Sequence, residues 1–225
     1  MHLDRENFLK LSALSAIYLV WGAIASLNDS LIPYLKSEYA LNFSQAMRVQ
    51  LVFYAAYFFL SIPCGLISRR FGYRNGILIG LTWAIGGCLL MIVTSGAASY
   101  HFILGAVFVL ASGITMLQVS ANPYVTTLGP GRTSASRLSL VQSCHSLGTT
   151  SGPYCGALLV FSTGLATVDV EVLPDKAIVK PYALLAIILT GIALVFSRLE
   201  PSQPPTRAKA GTGIFRLLVT SPRLV

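Results

Sequence analysis

Six stretches of this chain run almost free of charge for long enough to cross a bilayer, a distance that takes about 20 mostly apolar residues in a helix. They extend from Leu11 to Leu35, Met47 to Ile67, Gly76 to Thr94, Tyr100 to Leu128, Leu138 to Phe161 and Pro181 to Phe196. Charged residues make up 11% of the 225 positions and hydrophobic ones 54%, whereas a soluble domain carries about 25% charged residues. So few polar groups cannot cover the surface of a globule in water. The chain therefore reads as an all-α, polytopic membrane protein, with a bundle of six transmembrane helices over residues 11–198. The connections are short, except for the stretch 162–180 with Asp169, Glu171 and Asp175.

The net charge of +8 does not point to nucleic acid, because the basic residues fall in short clusters between the apolar runs. Lys and Arg collect in loops on the cytoplasmic side of a membrane. Twelve of the sixteen lie in one set of segments: the N-terminus (1–10), the loops holding Arg69, Arg70, Arg74, Arg132 and Arg137, and the region after the sixth span. Lys36, Arg48, Lys176 and Lys180 make up the other set. This split predicts a multi-pass membrane protein with both termini in the cytoplasm. Residues 199–225, rich in Pro and Arg, read either as a disordered cytoplasmic tail or as the product of a frameshift or premature stop. The four cysteines all lie in apolar runs without metal-ligand spacing, so they read as packing residues.

Polar residues inside the spans carry the functional signal. In "LNDSLIPYL" Asp29 is the one acidic residue within a predicted span. A carboxylate at the bilayer centre costs about 2.5–3.5 kcal/mol on insertion scales, so it should face the bundle interior or water. Pro33 follows four residues later and cannot donate to the Asp29 carbonyl; the bland reading is that the chain leaves the membrane there. In the fourth span Thr115, Gln118, Asn122 and Thr126 are spaced by 3, 4 and 4, so they share a helical face, with a kink expected at Pro123. The fifth repeats the pattern with Ser139, Gln142, Ser146 and Thr149, beside His145 and before Pro153. Hydroxyls can serve simply as glue between helices. Amides supply donor and acceptor together, which suits a hydroxyl-rich neutral ligand such as a sugar. Tyr34, Tyr54, Tyr57, Trp83 or Tyr124 could offer a ring to its apolar face. There is no H-E-x-x-H, no G-x-S-x-G and no Gly-rich phosphate loop, so no enzymatic motif, metal site or cofactor is expected.

"GLISRRFGYR", with Gly65, Arg70, Gly72 and Arg74, resembles the signature between the second and third helices of the major facilitator superfamily, although Arg69 stands at its usual acidic position. "LNDSLIPYL", "QVSANPYVTTLG" and "RLSLVQSCHSLGTTSGP", in that order, resemble the fucose/glucose/galactose permease branch, the fucose:proton symporter family. The resemblance extends from about Tyr18 to Phe161. It implies a sugar transporter of the inner membrane working by alternating access, with twelve helices in two halves and the substrate between them; this chain would be the N-terminal half.

Carried over by position, Asn28, Asp29, Gln118, Asn122, Gln142 and His145 would line the sugar site. Asp29 would couple transport to an ion, proton or sodium. Gln118 stands where fucose-specific members have a glutamate, and His145 where an asparagine is more frequent. The expected function is secondary active transport of a hexose, of the glucose/galactose or fucose type. The alternatives are a truncated, non-transporting fragment and a half-transporter active only as a dimer. The expected partners are a sugar, the lipid bilayer and either a second six-helix half or another copy.

Overall fold

The computed structural model describes residues 5–94, 100–161 and 178–199, the side chains of 5, 30, 34, 37 and 155–161 excepted. The expectations for the tail beyond residue 199, for Asp169, Glu171 and Asp175, and for the side chains of Tyr34 and Cys155 lie outside the described residues. Among the described residues seven α-helices follow one another: α1 (Arg5–Glu38), α2 (Phe43–Ala46), α3 (Arg48–Phe71), α4 (Tyr73–Thr94), α5 (Tyr100–Thr127), α6 (Ser134–Phe161) and α7 (Val179–Arg198). The short α2 starts with a reciprocal cap: the Asn42 carboxamide accepts from the Gln45 N–H at 2.8 Å, and the Gln45 side chain accepts from the Asn42 N–H at 3.0 Å.

The six long helices coincide with the six apolar runs, with ends displaced by several residues. Helix α1 begins at Arg5 rather than near Leu11, and it passes through Pro33 to Glu38, so the helix does not stop at that proline. Helices α3, α5 and α6 likewise continue through Pro63, Pro123 and Pro153. Apart from α6, each is long and apolar enough to cross a membrane, the second crossing being α2 with α3. Helix α6, at 28 residues, has the length but carries the stripe of Ser, Gln and Thr. Ser139, Gln142 and Ser146 are exposed on it.

Going round the bundle, neighbours follow the order α6, α1, α7, α4, α5, α3, and α5 also touches α1 and α6. Two pairs approach closely because they lack side chains at the crossing. A Cβ at Gly80 of α4 would lie 2.8 Å from the Leu117 nitrogen of α5. One at Gly22 of α1 would lie 2.9 Å from the Thr149 nitrogen of α6, and one at Gly148 of α6 would meet the Leu19 carbonyl oxygen of α1. In lipid, where burying apolar surface gains nothing between helices, such backbone proximity supplies the packing energy. Helices α1 and α3 do not come this close; side chains bridge them instead.

Two arginines secure helix ends. Arg137, 0% exposed, donates to the carbonyls of Val125 at 3.3 Å, Thr126 at 2.9 Å and Pro130 at 3.1 Å, and to the Thr133 hydroxyl at 2.6 Å. These are the orphan acceptors at the C-terminus of α5 and in the turn that follows, and the negative end of the helix dipole favours a cation there. Arg137→Ala is expected to cost about 2–3 kcal/mol of stability, since bonds to a charged group are each worth about 1.5–3 kcal/mol. Arg137→Lys should recover only part of this, because an ammonium cannot serve four acceptors in a fork. Thermal unfolding in detergent measures both; an unchanged midpoint for Arg137→Ala would remove the clasp from the account.

Candidate functional site

Tyr18 and Trp21 stand three residues apart on α1, on the face directed at the bundle interior, and both are buried. The Trp21 indole N–H donates to the Tyr57 hydroxyl of α3 at 3.2 Å. Its ring meets the His145 imidazole of α6 edge to face, with centroids 4.4 Å apart and planes at 62°. The same ring also meets Tyr18, at 5.3 Å and 61°. The Tyr18 hydroxyl donates to the Asn122 side-chain oxygen of α5. One connected set of polar and aromatic groups thus joins four helices, and α1 supplies its centre.

Two turns further along α1, Asn28 and Asp29 face different surroundings. Asn28 is 1% exposed, and its side-chain oxygen has no hydrogen-bond partner among the described residues. A buried acceptor left unpaired costs about 1–3 kcal/mol, so it is primed for a donor. Asp29 is exposed and accepts a hydrogen bond from the Gln50 amide of α3 at 2.8 Å. The gap between α1 and α3 is therefore spanned at two levels, by Trp21–Tyr57 and by Asp29–Gln50.

Of the six residues expected to line a site, Asn122 and His145 enter the cluster directly. Gln118, half-buried, lies one turn before Asn122; Gln142, exposed, lies one turn before His145. Asn28 and Asp29 form the second level. The hydroxyls on the same helix faces behave otherwise. Thr115 is buried and donates to the Ala111 carbonyl at 2.8 Å, and Thr126 donates to the Pro123 carbonyl at 2.7 Å. Ser146 and Thr149 likewise bond to carbonyls of their own helix. These groups are spent on local backbone, which leaves the amides, Ser139, Asp29 and His145 as the polar groups not committed to the backbone of their own helix.

Sequence reasoning missed Tyr18, Trp21 and Gln50. A legible signal existed for Trp21, which lies seven residues before Asn28 and so on the same face of α1; Gln50 left none. Among the candidate rings, Tyr57 takes part, whereas Tyr124 packs against Phe196, and Tyr54 and Trp83 are exposed by 61% and 54%. No group of three or more His, Cys, Asp or Glu side chains able to hold a metal occurs among the described residues.

The signature segment forms a one-residue turn between α3 and α4. Gly72 has φ +89° and its N–H donates to the Ser68 carbonyl, a backbone conformation that side chains disfavour. At Gly65 a Cβ would find ordinary contact with Val119 at 3.8 Å, so packing within this bundle does not demand glycine there. Arg70 is exposed, with its guanidinium 5.6 Å from the Phe71 ring. Arg74 donates to the carbonyls of Ser197 at 2.8 Å and Leu199 at 2.9 Å, closing the C-terminus of α7 as Arg137 closes that of α5.

The family model of the Major Facilitator Superfamily matches residues 14–224. The chain belongs to the major facilitator superfamily. Over 200 residues it is 47% identical to the glucose/galactose transporter of Brucella abortus biovar 1 (strain 9-941), covering 88% of this chain and 48% of that relative. It is 31% identical over 159 residues to the L-fucose-proton symporter of Escherichia coli (strain K12), covering 71% of this chain and 36% of the relative. Its backbone superposes on the crystal structure of a major facilitator superfamily transporter, FucP, in the outward conformation. That match has a TM-score of 0.77 and 26% identity, with 98% of this chain and 57% of the other covered. The chain spans about half the length of the curated relatives it matches, and its helices form one half of the superfamily fold.

Proposed function

We propose that this chain is the N-terminal half of a hexose transporter of the inner membrane, with both termini cytoplasmic, that moves glucose, galactose or a fucose-like sugar by alternating access. Asn28, Gln118, Asn122, Gln142 and His145 bind sugar hydroxyls, and Asp29 couples the movement to a proton or sodium ion. The observation that carries this reading is the convergence of Tyr18, Trp21, Tyr57, Asn122 and His145 from four helices, beside an unpaired Asn28 oxygen and a carboxylate held by Gln50. Amide, hydroxyl and aromatic groups without a dominant charge are what a neutral polyol requires. The relatives named above point to the same class of substrate.

The exposed Ser139 and Gln142 of α6 support a covering partner, because polar groups left facing lipid are unfavourable. A second six-helix half serves this need, and a second copy of the chain is the other occupant with the right chemistry. The test is uptake of labelled galactose, glucose and fucose by cells lacking their own hexose permeases. The chain is expressed alone and together with the C-terminal half of the Brucella relative. Saturable uptake that needs the added half is the expected result. Uptake by the chain alone, with a cross-linked dimer, would instead favour the paired-copy arrangement. Absence of both uptake and sugar binding would reduce the chain to a non-transporting membrane fragment.

A further inference from the structure

We propose that His145 is a second proton-binding group of the same pathway and that the Trp21 indole senses its charge. The inference deepens the transport reading and rests on it for what the proton is coupled to. Away from the helix ends, Asp29 and His145 are the two acid–base side chains other than tyrosine and cysteine among the described residues of the spanning helices. The Asp29 carboxylate already has the Gln50 amide at 2.8 Å. It lies eight residues, about 12 Å of helix rise, beyond Trp21. His145 belongs to the other level, half-buried and against Trp21 at 4.4 Å.

The backbone fixes that contact. A Cβ at Gly22 would clash with the His145 carbonyl oxygen, so the missing side chain at Gly22 lets α6 settle on α1 with the imidazole against the indole. An imidazolium gains a cation–π attraction from an indole that a neutral imidazole does not. The groups linked to His145 among the described residues are uncharged: Trp21 of α1 touches it, and Trp21 in turn meets Tyr18 of α1 and Tyr57 of α3, with Tyr18 bonded to Asn122 of α5. The charged residues of α1, α5 and α7, against which α6 packs, lie at helix ends or, for Asp29, on the second level. No charged side chain among the described residues is paired with His145, so the imidazole is free to exchange its proton with water. One proton binds a ring nitrogen from the water on one side and leaves to the water on the other; nothing else is consumed. Its charge is felt by Trp21, and through the Trp21–Tyr57 bond by α3.

The sequence holds two tryptophans, and Trp83 lies 54% exposed on α4, so Trp83→Phe leaves Trp21 as the sole indole. The full chain carrying that change, in lipid nanodiscs, is titrated by fluorescence from about pH 5 to about pH 8, the range of an imidazole, with and without galactose. A protonated imidazole quenches a neighbouring indole. The expected result is a loss of emission on acidification in a single-proton step. It disappears when His145→Asn is added and persists when Asp29→Asn is added. Flat emission in the Trp83→Phe chain overturns the proposal without needing the second variant, as does a step that survives His145→Asn. Galactose separates the two readings. A displaced midpoint supports both, whereas a His145-dependent step that galactose leaves in place keeps the proton site and counts against sugar binding. Saturable galactose binding beside flat emission does the reverse.

Discussion

Replacing Asp29 by Asn is expected to reduce sugar accumulation to a ratio of about 1 while leaving exchange of labelled for unlabelled sugar intact. The Asn oxygen can still accept from the Gln50 amide that now bonds the carboxylate at 2.8 Å, so packing between α1 and α3 is preserved and only the ionisable charge is lost. A membrane potential of 100 mV is worth about 2.3 kcal/mol per charge, which corresponds to a concentration ratio of about 50. That driving force reaches the sugar only if an ion site changes occupancy during the cycle. The measurement is the steady-state accumulation ratio in cells containing the chain together with the C-terminal half of the Brucella relative, with counterflow in parallel. Accumulation that survives Asp29→Asn would move the coupling elsewhere, with His145 the next group to change. Collapse by a protonophore identifies the ion as a proton; dependence on external sodium identifies sodium.

The second large effect concerns assembly. Gly148→Leu should separate α1 from α6, because even the first carbon of the new side chain would collide with the Leu19 carbonyl and lie 3.0 Å from the Ala23 nitrogen. Overpacking at a tight site costs about 1–3 kcal/mol and more where backbone must move, and here both obstructing atoms are backbone. The consequence reaches the candidate site, since α1 provides Tyr18 and Trp21 and α6 provides His145. Gly86→Leu is the control: a Cβ there meets nothing within 4 Å. Thermal stability in detergent and a disulfide introduced between α1 and α6 should report loss for the first variant and not for the second. Equal stability of the two would show that the α1–α6 crossing tolerates separation.

The long helices were legible because lipid disfavours charge along a spanning segment, and a long run nearly free of charge is a property of the one-dimensional chain. Proline was harder to read. Pro33 carries the signal of a helix end, yet α1 continues to Glu38, since a single missing donor does not outweigh the backbone bonds on either side. Side-chain spacing showed which residues share a face, and Gln118 and Asn122 do. It could not distinguish Thr115, whose hydroxyl closes on Ala111, from an amide that reaches across to another helix. Both satisfy the same periodicity and differ only in where their hydrogen bonds go. Gln50 was invisible for a related reason: its partner lies 21 positions away, and nothing local to either residue encodes the pairing.

The sequence by itself determined the class of the fold, its helix positions, its family and the polar residue types available inside the bundle, because each follows from composition, period or motif along the chain. Only the tertiary structure decided which of those residues meet. Glycines at 22 and 148 let α6 lie on α1, and that crossing places His145 on Trp21; Tyr18 reaches Asn122, and Gln50 reaches Asp29. Contacts between helices depend on how closely backbones can approach and which rotamers then fit, and those distances exist only once the bundle has assembled.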